Sequence, residues 1–415
     1  MSNEAVLSDT LVPRTHRADS RDHVRLLSSP VAARLGRVFR LVFLVLVYHL
    51  SASYVLQSFM QRHAFRGDMP RYGLELVING NADRPVAYRV LSPFIVREVS
   101  EVLAKVADPS RLLGSSAITR YARPNETWTP IKALHFHVAY VLTYLSLIGV
   151  LIAARWILAM GGIGRPTLRD IAPPLALLFI PFTYVHGAYI YDAPELLFLL
   201  LCTGFAMRGR WTWYYALLPL AILNKESNIF LGASAVALAA PSLASRDVLR
   251  PLIKHGALHA IIGFPIVLLV RSAFAGNPGS GAEFWFPSNV HFWLDPRSYF
   301  RFESGPAPLI PVPAGANVIL ITLAVSGIFA YWSLKPAWLK RLLLGSALVQ
   351  LPLMLLFCFH DELRNLSLLF PAFFLAACHT YACVNDTTNQ IGAGTEIDRH
   401  AGNMSYYRPE AAPLV

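Results

Sequence analysis

Residues 186–195, HGAYIYDAPE, join two strongly apolar runs, APPLALLFIPFTYV (172–185) and LLFLLLCTGFAM (196–207). Apolar runs of this length on both sides of a short polar turn are typical of consecutive membrane-crossing helices. The turn carries two carboxylates, Asp192 and Glu195. Ionisable side chains are costly so close to hydrocarbon, and we therefore interpret both as functional candidates.

The composition extends this interpretation to the whole chain. Of 415 residues, 55% are hydrophobic and only 15% are charged, whereas soluble domains carry roughly a quarter charged residues. We predict an all-α fold, a polytopic integral membrane helical bundle of about ten spans. The predicted spans are 36–59, 134–158, 170–188, 194–207, 211–224, 228–241, 256–274, 315–334, 338–359 and 364–384.

Basic residues beside the spans predict the orientation. Arginines precede the first span, and with ten spans every short basic loop falls on the same side, which the positive-inside rule makes cytoplasmic. The net charge of +11 suits an anionic lipid surface, and no module typical of nucleic-acid binding accompanies it. We expect a multi-pass protein of the bacterial plasma (inner) membrane. Its predicted parts are a disordered, basic cytoplasmic segment (1–34), a single membrane domain (35–384) with outer loops 60–133 and 275–313, and a cytoplasmic tail (385–415).

The first outer loop contains a candidate amphipathic helix. Residues 88–107 place apolar side chains at helical spacing on one face and charged side chains elsewhere. This pattern predicts a helix that lies in the outer membrane interface rather than crossing it. The predicted apolar face consists of Leu91, Ile95, Val99, Val102 and Val106.

Three further polar segments share the outer side with 186–195. They are the first outer loop, the turn NKES (224–227) and the segment HDELR (360–364). Four separate segments therefore deliver acids and cations to one membrane surface. Cations at this depth would bind the phosphate of a lipid-linked donor and stabilise it as it departs, while a carboxylate would take the proton of an acceptor hydroxyl.

Each candidate also has a purely structural interpretation. Asp192 would cap a helix starting at Pro194, with Glu195 in its first turn. Lys225 and Glu226 would pair with each other or with neighbouring charges. The remaining candidates would lie at the membrane interface: Arg364 snorkelling from its helix, Arg84 and Arg89 against lipid headgroups, and His186 and His360 without a catalytic role.

Four stretches resemble the GT-C superfamily of integral membrane glycosyltransferases, and its bacterial members most closely. They are DRPVAYRVLSP (83–93), YDAPELLFLLL (191–201), LNKESNIFL (223–231) and ELRNLSLLFP (362–371). The resemblance implies a GT-C-like multi-span helical fold, an extracytoplasmic active site and an inverting transfer from a polyprenyl-phosphate sugar.

In that family an acid of the first outer loop serves as the base, often within a tight acidic pair. Here Asp68, Glu75 and Asp83 stand apart. The resemblance implies Asp83 as the first candidate base and Asp68 as the second, with Asp192 and Glu195 assisting or holding a divalent metal ion. The phosphate- and substrate-binding candidates are Arg84, Arg89, Lys225, Glu226, Arg364, His186 and His360.

The predicted function is therefore transfer of a sugar from a polyprenyl-phosphate donor to a glycan, lipid or protein acceptor, among membrane lipids as partners. A transporter or flippase, an envelope-polysaccharide polymerase and a non-catalytic assembly protein are the alternatives. A transporter is expected to carry charges midway along its spans and pseudo-symmetric halves, whereas these charges gather at span ends. No convincing metal-ligand spacing or dinucleotide fingerprint occurs in the sequence, and no cofactor is identified.

Overall fold

The computed structural model describes residues 30–66, 69–121, 126–184, 187–243, 246–304 and 311–394. The chain divides into two compact units, Met1–Tyr48 and His49–Val415. Of the first unit, the described part is helical from Pro30 onward. Residues 30–34 of the predicted disordered segment (1–34) and residues 385–394 of the predicted tail (385–415) are helical. The rest of both segments and the candidates Asp68 and His186 lie outside the described residues.

The described part is almost entirely helical, so the predicted all-α class is confirmed. Strand β1 (Phe302–Ser304) pairs antiparallel with β2 (Pro311–Pro313), and Phe302 lies opposite Pro313. The helices are α1 (Pro30–His63), α2 (Leu74–Ile78), α3 (Leu91–Val106), α4 (Ser116–Tyr121), α5 (Pro130–Met160), α6 (Pro166–Phe179), α7 (Asp192–Met207), α8 (Trp211–Asn224), α9 (Leu231–Ala239), α10 (Leu249–Ala273), α11 (Phe286–Leu294), α12 (Val318–Phe329), α13 (Ala337–Phe357) and α14 (Phe370–Gly394).

Five helical stretches are long and apolar enough to cross a membrane. Large apolar side chains are exposed along one of them, α10, at Ile253, Ile261, Phe264 and Leu268. Soluble monomers rarely expose apolar patches of this extent, so the surface is compatible with a membrane protein. The five stretches are Ala33–His63, Pro130–Met160, Arg246–Ala273, Ala337–Phe357 and Leu363–Asp386.

Glycines allow the helices that carry the polar segments to approach closely. A Cβ at Gly204 of α7 would lie 2.0 Å from the Trp156 ring of α5. One at Gly345 of α13 would lie 2.7 Å from Ala237 of α9. Small residues at helix contacts are typical of bundles in lipid, where close packing rather than the hydrophobic effect drives association. The contact at Gly204 holds α7, whose first turn carries Asp192, close against α5.

Helix α3 occupies most of the predicted amphipathic stretch. It begins at Leu91 rather than residue 88, because Val86–Tyr88 forms a separate 3-10 turn. Its buried face is formed by small or short side chains, among them Ser92, Val96 and Ser100, whereas Val99 and Val102 are exposed. Val106 of the predicted apolar stripe is exposed as well, whereas Leu91 and Ile95 are half-buried. Only the later part of the stripe therefore points away from the protein core, as a helix at a lipid interface requires.

Candidate functional site

Three helix ends bring the predicted polar segments together. Asp192 and Glu195 lie in the first turn of α7. Lys225 follows the last residue of α8 in an extended conformation, with φ −156° and ψ 124°. The Asn224 side chain donates a hydrogen bond to the Tyr191 carbonyl (2.9 Å) and accepts one from Ser92 Oγ (2.6 Å). The start of α7, the end of α8 and the start of α3 are therefore joined directly.

Glu195 and Lys225 form a fully buried ion pair. Lys225 Nζ lies 2.8 Å from Glu195 Oε2, and the exposed fractions of the two side chains are only 6% and 2%. The other carboxylate oxygen of Glu195 accepts a hydrogen bond from Ser367 Oγ at 2.6 Å. Lys225 also donates to Asn365 Oδ1 at 3.5 Å. A buried charge needs a partner of this kind, because leaving either member alone would be costly.

Arg364 joins two further carboxylates. Its Nη1 atom lies 3.0 Å from Asp192 Oδ2, and its Nε and Nη2 atoms donate to Glu362 Oε1. Asp192 Oδ2 also accepts the backbone N–H of Tyr189 at 2.7 Å. Asp192 Oδ1 is buried and has no hydrogen-bond partner among the residues that the structure describes. One oxygen of this carboxylate is thus held in place while the other remains available.

Two stacked tyrosines lie between the arginines of the site. The rings of Tyr189 and Tyr191 are 5.2 Å apart and nearly parallel. The Arg364 guanidinium lies 4.6 Å from the Tyr189 ring centre, and the Arg89 guanidinium lies 4.5 Å from that of Tyr191. Arg89 also donates to the Tyr191 hydroxyl and lies 3.7 Å from a Glu226 oxygen. Desolvated cation–ring contacts of this kind stabilise the positions of both guanidinium groups.

We call the group of side chains around Glu195, Lys225 and Arg364 the ion-pair cluster. Its charged members are three cations and four carboxylates, so its formal charge is negative when all of them are ionised. Two tyrosines, Ser367 and Asn365 complete it. The charged members are Arg89, Lys225, Arg364, Asp192, Glu195, Glu226 and Glu362.

Glu362 acts as a counter-ion in this cluster. It precedes the last candidate span, which begins at Leu363. Burial alone would raise the pKa of Glu362, but the neighbouring Arg364 guanidinium, with help from Arg89 and Asn365, lowers it to about 2. A carboxylate with such a low pKa is a weak proton acceptor near neutral pH. Its effect is to keep Arg364 fixed and charged.

A long apolar groove begins at the cluster. Its volume is about 1700 Å³, and Asp192, Glu195, Arg364 and Ser367 form part of its wall. Along α14 the lining extends from Phe370 to Asp386, which is roughly 24 Å of helix at about 1.5 Å per residue. The rest of the lining is mostly apolar and comes from α6, α12 and α13, including Leu175, Phe179, Leu320, Ala324, Ile328, Leu344 and Leu351.

No family model, curated protein or solved structure matches this chain. The likeness to the GT-C superfamily therefore remains a resemblance of motifs.

The described carboxylates of the cluster do not form a metal centre. Among the residues that the structure describes, no three His, Cys, Asp or Glu side chains are grouped so as to hold a metal ion. Asp192 and Glu195, the predicted alternative ligands, are bound instead by Arg364 and Lys225.

Asp83 and Arg84 lie in a second arrangement, which we call the loop clip: residues 80–84 and 277–279, together with Arg71. Asp83 Oδ2 accepts a hydrogen bond from Arg71 Nε at 2.5 Å. Arg84 donates from Nη2 to the Gly279 carbonyl at 2.7 Å and from its backbone N–H to the Pro278 carbonyl at 2.8 Å. Asn277 donates to the carbonyls of Gly80 and Ala82. These contacts join residues 80–84 to residues 277–279, which belong to the two long loops predicted to be outer.

The loop clip touches the cluster through apolar contacts rather than charges. Ala82, Val86 and Ala87 share a buried core with Tyr189 and Tyr191. Asp83 is not part of the groove lining, which includes Asp192 and Glu195. Of the predicted site residues, Arg89, Asp192, Glu195, Lys225, Glu226 and Arg364 therefore meet in the cluster, and Asp83 and Arg84 lie beside it.

The structural interpretation of Asp192 differs from what the fold contains. Helix α7 begins at Asp192 itself, with Tyr191 at the N-cap position, so Asp192 does not cap a helix that starts at Pro194. His360 stacks on the Phe292 ring at 4.4 Å, with Phe359 close by.

Several members of the cluster were not predicted from the sequence. Glu362 lies two residues before Arg364 in the same polar segment, and this spacing could have suggested a local counter-ion. Tyr189 and Tyr191 are two positions apart within residues 186–195, and this spacing places both rings on one side of an extended chain. Ser367 carried no such signal, because its partner Glu195 is 172 positions away. Asn365 donates to Glu362 nearby at 2.6 Å, but its contact with Lys225 is between distant segments.

Proposed function

We propose that the protein is a GT-C-like membrane glycosyltransferase that moves a sugar from a polyprenyl-phosphate donor to an extracytoplasmic acceptor. One observation carries this proposal: a cluster of acids and cations forms part of the wall of a long apolar groove. A lipid-linked phosphate has the complementary division, with a charged headgroup on an apolar chain. The chain would lie in the groove and the phosphate at the cluster.

The proposed orientation has ten membrane-crossing helices and the cluster on the extracytoplasmic side. Helices α7 and α14 both begin at the cluster, so their other ends lie on the opposite side. Arg208 and Arg210 follow α7 there, where the positive-inside rule favours basic residues. The basic residues in the segments after α5, α9 and α12 support the same side: Arg165, Arg169, Arg246, Arg250, Lys335 and Lys340.

Arg364 and Lys225 would bind the donor phosphate. Arg364 makes three hydrogen bonds to Glu362 and Asp192, and a guanidinium carries more N–H donors than these use. Lys225 makes two hydrogen bonds, one of them long, and an ammonium has a further donor. Because the carboxylates already hold both cations in place, their remaining donors would be preorganised for the departing phosphate.

Asp192 would be the base. Its Oδ2 atom is held by Arg364 and Tyr189, and its buried Oδ1 atom is unpaired within the described part of the chain. The acceptor hydroxyl oxygen would attack the anomeric carbon as the bond from that carbon to the phosphate oxygen breaks. The phosphate would leave with the bonding electrons, and the hydroxyl proton would pass to Asp192. Asp83, the base that the resemblance implies, is the competing candidate.

The charge balance of the cluster gives a sharp test. With four carboxylates and three cations, the cluster is formally negative before an anionic donor binds. Asp192→Asn removes one negative charge and the proton acceptor together. We expect it to lower kcat by about 10²- to 10⁴-fold without raising KM for the donor. A loss of binding alone would change KM instead.

The measurement is release of free polyprenyl phosphate from a panel of polyprenyl-phosphate hexoses and pentoses, with the purified full chain in nanodiscs and membrane glycolipids as acceptors. Asp83→Asn is measured in parallel, and Glu101→Gln, on the exposed side of α3, is the matched control. Loss of release in Asp83→Asn but not in Asp192→Asn would transfer the role of base to Asp83. If the parent chain releases no polyprenyl phosphate from any donor, the proposed function is wrong.

A flippase for lipid-linked substrates is the second candidate, because the groove continues far from the cluster. Its lining includes Arg165, Asn385 and Asp386 beyond the apolar section, and Arg165 lies 3.5 Å from Asp386. A headgroup could therefore meet polar side chains at both ends. Movement of a fluorescent polyprenyl phosphate between leaflets of reconstituted vesicles, without sugar transfer, would favour this candidate.

A further inference from the structure

A second cavity lies beside α2, away from the groove. Its volume is about 220 Å³, and it is enclosed by the segment after α1, by α2 and by the start of α5. We call it the side pocket. The side chains that line it include Leu74, Glu75, Glu126, Trp128, Lys132 and Phe136.

The polar groups of the side pocket are held in place by each other. Lys132 Nζ lies 2.8 Å from Glu126 Oε1 and 4.9 Å from the centre of the Trp128 ring. The Glu75 carboxylate lies 3.1 Å from His135 Nδ1. The Trp128 indole N–H is buried and has no hydrogen-bond partner in the part of the chain that is described. A buried donor without a partner is costly, and a ligand that accepts its hydrogen bond would remove this cost.

Size and charge restrict what the side pocket can bind. Its volume corresponds to about seven waters at roughly 30 Å³ each, which is too small for a lipid chain and is near the size of one ring. Two carboxylates against one lysine disfavour a phosphate. Carboxylates accept hydrogen bonds while an ammonium and an indole N–H donate them, and the hydroxyls of a sugar do both. We propose that the side pocket binds a single neutral sugar ring.

The side pocket is connected to the ion-pair cluster by α2. Leu76 lines the pocket and also packs against the buried core that contains Tyr189 and Tyr191. Tyr189 in turn lies against Arg364. We assign a ring in the side pocket to the acceptor, because the pocket shares no lining residue with the groove proposed for the donor and yet contacts the core around Tyr189 through Leu76. This assignment of the ring to the acceptor rests on the proposed function.

The test is direct binding, which needs no transfer. Methyl glycosides of neutral hexoses, N-acetylhexosamines and pentoses are titrated by calorimetry into the purified full chain. Trp128→Phe keeps the aromatic ring and removes only the N–H donor, and Glu126→Gln removes an acceptor charge. We expect each to raise the Kd of the bound glycoside by about tenfold, the effect of one lost hydrogen bond to a strong partner. Glu101→Gln on α3 is the matched control and is expected to leave the Kd unchanged.

Thermal unfolding of each variant shows whether it is folded. If no glycoside binds the parent chain saturably, or if folded Trp128→Phe and Glu126→Gln bind as tightly as the parent, the inference is wrong. Inorganic phosphate binding in place of a glycoside would also overturn it. Release of polyprenyl phosphate without glycoside binding would overturn this inference and leave the proposed function standing, whereas glycoside binding without release would do the reverse.

Discussion

The ion-pair cluster and the loop clip both join carboxylates and cations from separate parts of the chain, but they differ in burial. The Glu195–Lys225 pair is almost completely buried. In the clip, the Arg71 side chain is 53% exposed, and most of the other contacts are hydrogen bonds to backbone carbonyls. Breaking a buried pair leaves an uncompensated charge in a medium that cannot solvate it. When a surface pair is broken, water solvates the charge that remains. Burial of the charges, more than their pairing, therefore distinguishes the candidate functional site from a structural contact between two loops.

The largest expected effect is at the buried pair. Lys225→Met leaves Glu195 charged and without its cation, and we expect a loss of about 3–5 kcal/mol in the free energy of unfolding. Adding Glu195→Gln should restore most of this loss, because the unpaired charge is gone. The measurement is thermal and denaturant unfolding of the full chain in detergent.

Lys254→Met, at an exposed position on α10, is the control for removing a lysine. If Lys225→Met and Lys254→Met have the same free energy of unfolding, the burial of the Glu195–Lys225 pair adds nothing to its contribution to stability. The contrast with the loop clip would then be wrong.

An intermediate effect is expected where the backbone of the loop clip is tightest. Gly279 has φ +88°, and a Cβ there would lie 2.7 Å from the Arg84 carbonyl oxygen. Gly279→Ala is expected to destabilise the protein by about 1–2 kcal/mol, because L-residues are disfavoured at positive φ and the two loops must separate. Unfolding measurements give this value, with Gly276→Ala, where a Cβ meets nothing within 4 Å, as the matched control. A Gly279→Ala variant as stable as Gly276→Ala would mean that the clip does not fasten the loops.

The smallest effect is expected at the surface pair of the loop clip. Arg71→Met removes the partner of Asp83, and exposed pairs contribute about 0–1 kcal/mol. The difference from the parent should shrink further at high salt, since exposed charges are screened. Unfolding at low and high ionic strength measures both. A salt-independent loss as large as that of Lys225→Met would place Asp83 in the same class as the buried cluster and strengthen its candidacy as the base.

The predicted helices were located well because hydropathy is a local property. The predicted span 211–224 coincides with α8, and 194–207 differs from α7 only by two residues at its start. The end of the last span was less accurate, since α14 continues to Gly394, ten residues past the predicted end at 384. Polar side chains along that continuation gave no apolar pattern, yet the helix persists through them.

Pairing within the site could not be predicted so well. Lys225 and Glu226 are neighbours in sequence, and pairing with each other was one interpretation. In the structure Lys225 binds Glu195, and Glu226 faces Arg89. The extended backbone at Lys225 directs successive side chains to opposite sides. Nothing in the hydropathy of the NKES turn indicates that conformation.

Sequence alone predicts that the chain is helical and apolar, and it predicts where most of the helices and polar turns lie. Those features depend on residues a few positions apart. The tertiary structure is needed to show which charges form pairs, because Lys225 and Glu195 are 30 positions apart and Arg364 and Asp192 are 172 positions apart. The tertiary structure also shows that a groove begins at the cluster and that a second cavity lies beside α2. A cavity is space left between packed helices, and its position depends on how they pack rather than on any one segment.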